Sequence, residues 1–410
     1  MKKLILKWFT MTSELLILTP SAVALAADSA VTIGGKKTYN GVNTLFMLSN
    51  NPPMGIMTYN IANFLNIPLE TIIKEFRHGI NSNVSLCSLN EEFKQFLDNI
   101  VKKSIYKESF DKQLKYFIDS LQRESTTVTD EEFKRIVAFE VLNFNKEDLG
   151  DFSEDIFSQL DEKDNLFESL VPESIKDNDK KEFISNLKIF FVKKVFLDRF
   201  IGIVIAGFDN EELFPSYIHF KLNYLYDDKF ILNIINKDKI AEKKGIVLPL
   251  AQSDVINTFL NSIDDGTQNE IVRYFMTVQN NYVNNIKTAI KENNKINGKD
   301  ETEVLKELSK IETENEKLVD SFSDFMDELK LNHNRPIVDS IAHLPKEELS
   351  NLAESLIKIT SLKRKVQNDL ETVGGPVDVA IITKGDGFVW TKRKHYFDAD
   401  LNPQFFDRKD

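Results

Sequence analysis

The sequence has a single cysteine, Cys87, and therefore cannot form an intramolecular disulfide. This excludes the class of small secreted domains that depend on disulfide bonds for stability. No histidine is clustered near Cys87, which indicates an inert thiol. The five histidines are scattered without the spacing of metal ligands. The sequence accordingly predicts no metal site and no cofactor.

Long apolar runs and an excess of positive charge are also missing. No run of about 18 uninterrupted apolar residues occurs, so no transmembrane helix is expected. Acidic side chains outnumber basic ones, 64 against 52, and the net charge is −12. A general nucleic-acid-binding protein would instead present a basic face. We expect a cytoplasmic protein that binds neither nucleic acid nor membrane.

What the chain does have is the composition of a globular protein. Apolar residues make up 42% and charged residues 28% of its 410 residues. This length is ample for a sizeable hydrophobic core.

The N-terminal stretch "MTSELLILTPSAVALAADSAVTIGG", Met11–Gly35, has two incompatible interpretations. With the basic residues before it, it resembles a secretory leader that ends near Ala27. A leader needs about 7 to 15 apolar residues in a row, and here Ser13 and Glu14 interrupt the run, as does "TPS". Alternation and the Pro-Ser pair favour a strand, a tight turn and a second strand. An exported, helix-rich protein with a cleaved leader stays an open hypothesis.

The rest of the chain alternates between strand and helix patterns. "TLFMLS" and "PMGIMTY" predict a strand pair, and "IPLETIIKEFRHGI" predicts a helix. Charged, helix-periodic segments cover about 90–194 and 253–370. Between them "IGIVIAGF", "PSYIHFKLNYLY", "KFILNIIN" and "GIVLPL" predict strands, and "VDVAIIT" with "FVWTKRKHYF" predicts a final hairpin. This order favours two stacked sheets with helices outside.

Three segments carry a resemblance to a known family. "TSELLILTPSAVALAADSAVT" has a Thr before the first strand, Asp28 sixteen positions after Thr12, and Thr32 shortly after. "TLFMLSNNPPMGIMTYNIAN" and "ETVGGPVDVAIITKGDGFVW" follow in the same order as the third and fourth strands and the last hairpin of that family. Over about 130 residues the chain is similar to proteasome β-subunits and the bacterial peptidase HslV, which are N-terminal nucleophile hydrolases.

The resemblance implies a fold and a domain organisation. The fold class is α+β, a four-layer αββα sandwich of two antiparallel sheets, with helical insertions at about 90–194 and 253–370. Residues 1–11 are expected to be an N-terminal extension, either a propeptide or the product of an upstream start. Residues 12–410 are expected to form the domain.

The resemblance also implies a chemistry. Thr12 would be the nucleophile of a threonine-type peptidase or amide hydrolase, and its own α-amine would accept the hydroxyl proton. That amine has an unperturbed pKa of about 7.7 to 8, near the working pH. The other site residues would be Asp28 and Thr32 in the same segment, and Asp369, Glu371 and Thr372 before the last hairpin. An uncleaved extension would silence the site, because an amide nitrogen is not a base.

One position departs from the family pattern. The family has a catalytic Lys directly before the "LF" of the third strand, and this chain has Thr44 there. Lys36 and Lys37 would reach the site only if their loop folded back. The alternative function is therefore a catalytically inactive scaffold or partner-binding subunit.

The resemblance further implies partners. These are a peptide or protein substrate, further copies of the chain in a homo-oligomer or ring, and an ATP-dependent unfoldase.

Overall fold

The computed structural model describes residues 13–33, 37–80, 85–125, 128–240, 245–297, 301–366, 375–395, 397–398 and 400–402. Its strands lie where alternating or continuously apolar segments occur in the sequence. In chain order they are β1 (Ser13–Leu18), β2 (Val23–Ala27), β3 (Ala30–Ile33), β4 (Lys37–Asn40), β5 (Leu45–Asn50), β6 (Pro53–Asn60), β7 (Asn63–Phe64), β8 (Ile67–Pro68), β9 (Ile201–Gly207), β10 (Ser216–Tyr224), β11 (Phe230–Lys239), β12 (Ile246–Ala251), β13 (Asp378–Thr383) and β14 (Gly387–Lys392).

Two of the helices begin at sequence signals that satisfy free backbone N–H groups. Ser85 with Ser88, and Thr129 with Glu132, form reciprocal capping boxes at two helix starts. In chain order the helices are α1 (Leu69–Gly79), α2 (Leu86–Lys103), α3 (Phe110–Ser125), α4 (Asp130–Leu142), α5 (Ser153–Asp161), α6 (Asp164–Glu168), α7 (Lys180–Val192), α8 (Asp254–Asn261), α9 (Asp265–Asn297), α10 (Glu301–Ile341) and α11 (Lys346–Val366).

Two five-stranded antiparallel sheets form the centre of the molecule. Sheet I has the order β12-β1-β2-β13-β14, and sheet II has the order β11-β10-β9-β6-β5. The predicted N-terminal and C-terminal hairpins are adjacent in sheet I, since β2 pairs with both β1 and β13. The N-terminal segment therefore forms a strand, a turn and a strand at the centre of a sheet.

The two sheets bury an apolar layer between them. It takes Leu16 and Leu25 from sheet I and Met57 and Val204 from sheet II, among others. The two strands of the N-terminal hairpin, β1 and β2, are buried on both faces, and none of their residues is exposed. Such strands need cover on each side, and the cover on the outer side is helical.

Helices cover both outer faces. On sheet I, Leu15 and Ile17 pack against residues of α8 and α11 such as Ile256 and Ile357. On sheet II, residues of α1 and α2 such as Phe76 pack on the strands. The layers are therefore helix, sheet, sheet and helix. The prediction of an α+β, four-layer αββα sandwich of two antiparallel sheets is confirmed.

A further apolar core lies outside the sandwich. Residues of α3 to α7 pack with one another and with Leu225 and Tyr226, which follow β10, and with Ile231 of β11. Much of α9 and α10 instead forms a long antiparallel pair, with Phe275 stacked on Phe322. The predicted domain boundaries stay predictions, and the proposed extension over 1–11 falls outside the described residues. No helix in the described ranges is both long enough and apolar enough to cross a bilayer.

Candidate active site

Asp28 lies at the end of β2 and is bonded to the start of β1. Its Oδ1 accepts a hydrogen bond from the backbone N–H of Ser13 at 2.9 Å, and its own N–H donates to the Ser13 carbonyl at 3.1 Å. Both residues are fully buried. A carboxylate therefore holds the residue that directly follows Thr12.

Four of the predicted site residues, Thr12, Asp369, Glu371 and Thr372, lie outside the described residues. The backbone of Thr32 is part of β3 and is paired with Thr38 of β4; its side chain lies outside the described part. Within the described part of the chain, Asp28 is thus the predicted site residue for which a side-chain contact is seen.

Of the two lysines that could replace the family Lys, the structure describes the backbone of one, Lys37. Lys36 lies outside the described residues. Lys37 was expected in a loop, but its backbone is the first position of β4, where it pairs with Ile33. This expectation was wrong because β3 and β4 are each only four residues long, and such a short pairing leaves little periodicity to detect.

Thr44, at the position where the family has Lys, is buried just before β5. Its carbonyl accepts from the Thr58 N–H at 2.8 Å, which joins the start of β5 to β6. Its hydroxyl has no hydrogen-bond partner within the described part of the chain. A neutral hydroxyl stands here instead of a cation.

Sequence reasoning missed two acidic residues on the inter-sheet face of sheet I. Glu14 of β1 and Asp378 of β13 are both directly opposite Ala27 of β2, and Ala27 belongs to the layer between the sheets. Residues that are opposite in neighbouring strands share a face of the sheet. Glu14 and Asp378 therefore flank Ala27, and both are buried.

Asp378 forms a buried ion pair with Lys394. The Lys394 ammonium contacts Asp378 Oδ2, and the Lys394 N–H donates to Asp378 Oδ1 at 2.7 Å. The exposed fractions of the two side chains are 4% for Asp378 and 9% for Lys394. Buried charges persist when they are paired and hydrogen-bonded in this way. The pair places a cation one strand away from the Asp28 end of β2.

A second polar contact lies inside the sandwich. The hydroxyl of Tyr59 on β6 is 2.7 Å from Nε2 of His219 on β10, and both side chains are buried. Burial lowers the pKa of His219 to about 4. Burial, and secondarily the charge of Glu14, raises the pKa of Tyr59. His219 is therefore neutral and Tyr59 protonated at neutral pH.

Only one weak sequence signal could have found these groups. Glu14 is an acid within the apolar strand "SELLIL", where it also interrupts the apolar run that a leader needs. Tyr59 and His219 are separated by 160 residues, and no local pattern connects them. Within the described ranges no group of three His, Cys, Asp or Glu side chains is placed to hold a metal ion.

The comparisons with known proteins give structural neighbours but no family. No protein family matches the sequence, and no curated protein matches it. One similar solved structure is Anbu (ancestral beta-subunit) from Yersinia bercovieri, 10% identical, with 97% of this chain and 94% of that chain covered at a TM-score of 0.30. Another is an Anbu (Gly-1) mutant from Hyphomicrobium sp. strain MC1, 8% identical, with 98% of each chain covered at a TM-score of 0.31.

The assignment to the proteasome β-subunits and HslV was wrong. The two similar solved structures named above are Anbu proteins, and their TM-scores and identities do not define a family for this chain. The physical reason is that the matched segments are two hairpins and a strand pair. A spacing of sixteen residues from Thr12 to Asp28 specifies the length of a hairpin, and that length is not particular to one family.

Proposed function

We propose that this chain is an amide hydrolase of the N-terminal nucleophile type, in which Thr12 acts once it is the first residue. One observation carries the proposal. The buried carboxylate of Asp28 accepts from the N–H of Ser13, so an anion is anchored at the residue joined to Thr12. The αββα sandwich, with β1 at its centre, supports the same proposal.

The proposed reaction uses two groups of one residue. The Thr12 hydroxyl oxygen attacks the carbonyl carbon of an amide while its proton passes to the Thr12 α-amine. The C–N bond then breaks, and the departing amine takes that proton. Water hydrolyses the resulting ester and regenerates the hydroxyl. Asp28, as a nearby anion, would raise the pKa of the α-ammonium and favour proton acceptance.

A second candidate function is an inactive subunit that binds a partner. The specific observation in its favour is the buried, neutral Thr44 in place of a cation. An oxyanion or alkoxide that lacks an organised positive group loses a large share of its stabilisation, typically about 3 to 4 kcal/mol for one donor. In this second candidate function the chain has the same αββα sandwich but no hydrolase activity.

The test is covalent labelling of a protein that begins at Thr12. We expect a β-lactone or boronate electrophile to add to the wild-type protein, as measured by intact mass, and Thr12→Ala to abolish the labelling. Ser13→Ala is the matched control. It removes the neighbouring hydroxyl and should leave the labelling at Thr12 unchanged. Asp28→Asn should slow labelling, since it removes the charge and keeps an acceptor for the Ser13 N–H.

Thr44→Lys separates the two candidates. If the wild-type protein is inert and Thr44→Lys is labelled at Thr12, the chain is an inactive subunit with a sound site. If neither protein is labelled, the Thr12 proposal is wrong. A peptide or protein substrate is part of the proposal. The homo-oligomer or ring, the unfoldase partner and the cytoplasmic location stay predictions.

A further inference from the structure

The antiparallel pair of α9 and α10 has a defined register. Phe275 stacks on Phe322 with ring centroids 4.1 Å apart, Gln268 Nε2 donates to Asp327, and Asn315 Nδ2 donates to Asn280. These contacts identify the inward side of each helix. They also place Ile271 near Phe325 and Val278 near Leu318 along the pair.

Large apolar side chains remain exposed on this pair of helices. The exposed fractions run from 39% for Ile271 to 73% for Tyr274. We call the following set the hairpin patch: Ile271, Tyr274, Val278 and Tyr282 of α9, with Leu318, Phe325 and Leu329 of α10.

The members of the hairpin patch lie on one side of the helix pair. In α9, Ile271 and Val278 come three positions after the inward-facing Gln268 and Phe275. In α10, Phe325 comes three positions after the inward-facing Phe322, and the same spacing separates Leu318 from Asn315. A residue three positions after an inward-facing residue lies beside it, on the same flank in both helices. Two antiparallel helices present equal flanks to the same side, so these four residues lie on one side of the pair. The other three members extend this surface, because Tyr274 comes three positions after Ile271, and Tyr282 and Leu329 come four positions after Val278 and Phe325.

The α9 part of the hairpin patch has the composition of an interface. The stretch from Tyr274 to Ile286 contains no charged residue, in a chain that is 28% charged. Loss of charge together with tyrosine and phenylalanine is typical of the buried centre of protein interfaces. An interfacial membrane helix would carry several Lys or Arg residues beside its apolar face, whereas α9 has a single one, Arg273, between Ile271 and Tyr282.

The amount of exposed apolar surface suits a dimer. Seven large side chains, each about half exposed and of about 150 to 250 Å² when aromatic, present roughly 700 Å² in total. A stable interface buries about 800 Å² on each partner. A patch on an ordinary monomer is about 300 to 600 Å². A second copy with the same patch would supply an equal area.

We propose that the hairpin patch binds a second copy of this chain, with α9 of one copy antiparallel to α9 of the other. The order of residues favours this occupant. Tyr274 and Tyr282 are equally distant from Val278, so a two-fold axis at Val278 places each tyrosine opposite the other tyrosine of the second copy. A two-fold interface requires this reciprocity of residues. The proposal does not depend on the chemistry proposed for Thr12.

Sedimentation of the full chain over a range of concentrations tests the proposal. We expect a monomer–dimer equilibrium, and we expect Val278→Glu to raise the dissociation constant by roughly tenfold or more, because it buries a charge at the two-fold axis. Met276→Glu is the matched control. Met276 is 40% exposed on the same helix, but two positions from Val278 and so on the opposite flank. It should leave the dissociation constant unchanged.

Disulfide cross-linking tests the antiparallel register in a Cys87→Ser background. We expect Val278→Cys to cross-link with itself, and a mixture of Tyr274→Cys and Tyr282→Cys chains to cross-link with each other. The proposal is overturned if the wild type is a monomer at all concentrations, or if Met276→Glu weakens the dimer as much as Val278→Glu. It is also overturned if the monomer instead binds vesicles of anionic lipid, and Val278→Glu abolishes that binding.

Discussion

At the scale of single residues, the interior of the sandwich holds a neutral histidine and a protonated tyrosine. Tyr59 and His219 share a 2.7 Å hydrogen bond in the mainly apolar layer between the two sheets. A buried pair of this kind stabilises the fold as long as neither partner becomes charged. The pair therefore makes the stability of the sandwich depend on pH.

His219 gives the first expected outcome. Its pKa is about 4 in the folded protein and about 6.5 when unfolded. Between these values the unfolded chain binds more protons, so the stability contributed by His219 is complete above pH 6.5 and falls as the pH drops towards 4. We expect His219 to account for a loss of about 2 kcal/mol in the free energy of unfolding between pH 7 and pH 5.

Urea denaturation at each pH measures this contribution. His219→Gln should remove that part of the pH dependence. His78→Gln, at an exposed histidine in α1, should retain it. Equal pH dependence in the wild type and His219→Gln would contradict the assignment.

At the scale of elements, the contact between β6 and β10 depends on a glycine in the strand between them. Gly202 of β9 lies opposite Tyr59. A Cβ at Gly202 would lie 2.0 Å from the Tyr59 ring. The ring therefore crosses β9 at Gly202 to reach His219. The absence of a side chain at Gly202 permits the hydrogen bond between Tyr59 of β6 and His219 of β10.

Gly202→Ala should destabilise the protein by about 1 to 3 kcal/mol, because the Tyr59 ring must move and the sandwich layer is closely packed. The change is measured by urea denaturation. Gly79→Ala is the control, since nothing lies within 4 Å of a Cβ there. In a Tyr59→Ala background the cost of Gly202→Ala should disappear; a cost that persists would show that the ring is not the obstacle.

At the scale of the whole molecule, the chain has apolar cores that are separate from one another. The core formed by α3 to α7 contains the rings of Phe110, Phe117, Phe191 and Phe196. The centroid of the Phe191 ring lies 5.2 to 5.8 Å from the centroids of the other three rings. The layer between the two sheets shares no residue with this core. Separate cores favour separate cooperative units of unfolding.

Phe191→Ala should destabilise the helical unit by about 3 to 5 kcal/mol, because it leaves a cavity where the side chain is fully buried. Hydrogen exchange should then show faster exchange of amides in α3 and α7, with β1 and β2 unchanged. Phe139→Ala, at an exposed position in α4, should change neither. Uniform loss of protection after Phe191→Ala would mean that the molecule unfolds as one unit.

The sequence by itself determined the fold class and most of the elements, but not the short strand pair of β3 and β4. Alternating apolar residues and the Pro-Ser turn predicted the hairpin of β1 and β2, and "VDVAIIT" with "FVWTKRKHYF" predicted the hairpin of β13 and β14. These signals are local, because the side chains of a strand alternate with a period of two whatever lies beside it. The spacing of Thr12 and Asp28 followed from the first hairpin, and Asp28 does contact the start of β1.

Only the tertiary structure decided which distant segments meet. It placed Glu14 and Asp378 on either side of Ala27, brought Lys394 to Asp378, and joined Tyr59 to His219 across Gly202. None of these contacts leaves a local pattern, because the pairing of strands far apart in sequence depends on which faces become buried together. A hairpin length could therefore be predicted from the chain, whereas the charges that surround it could not.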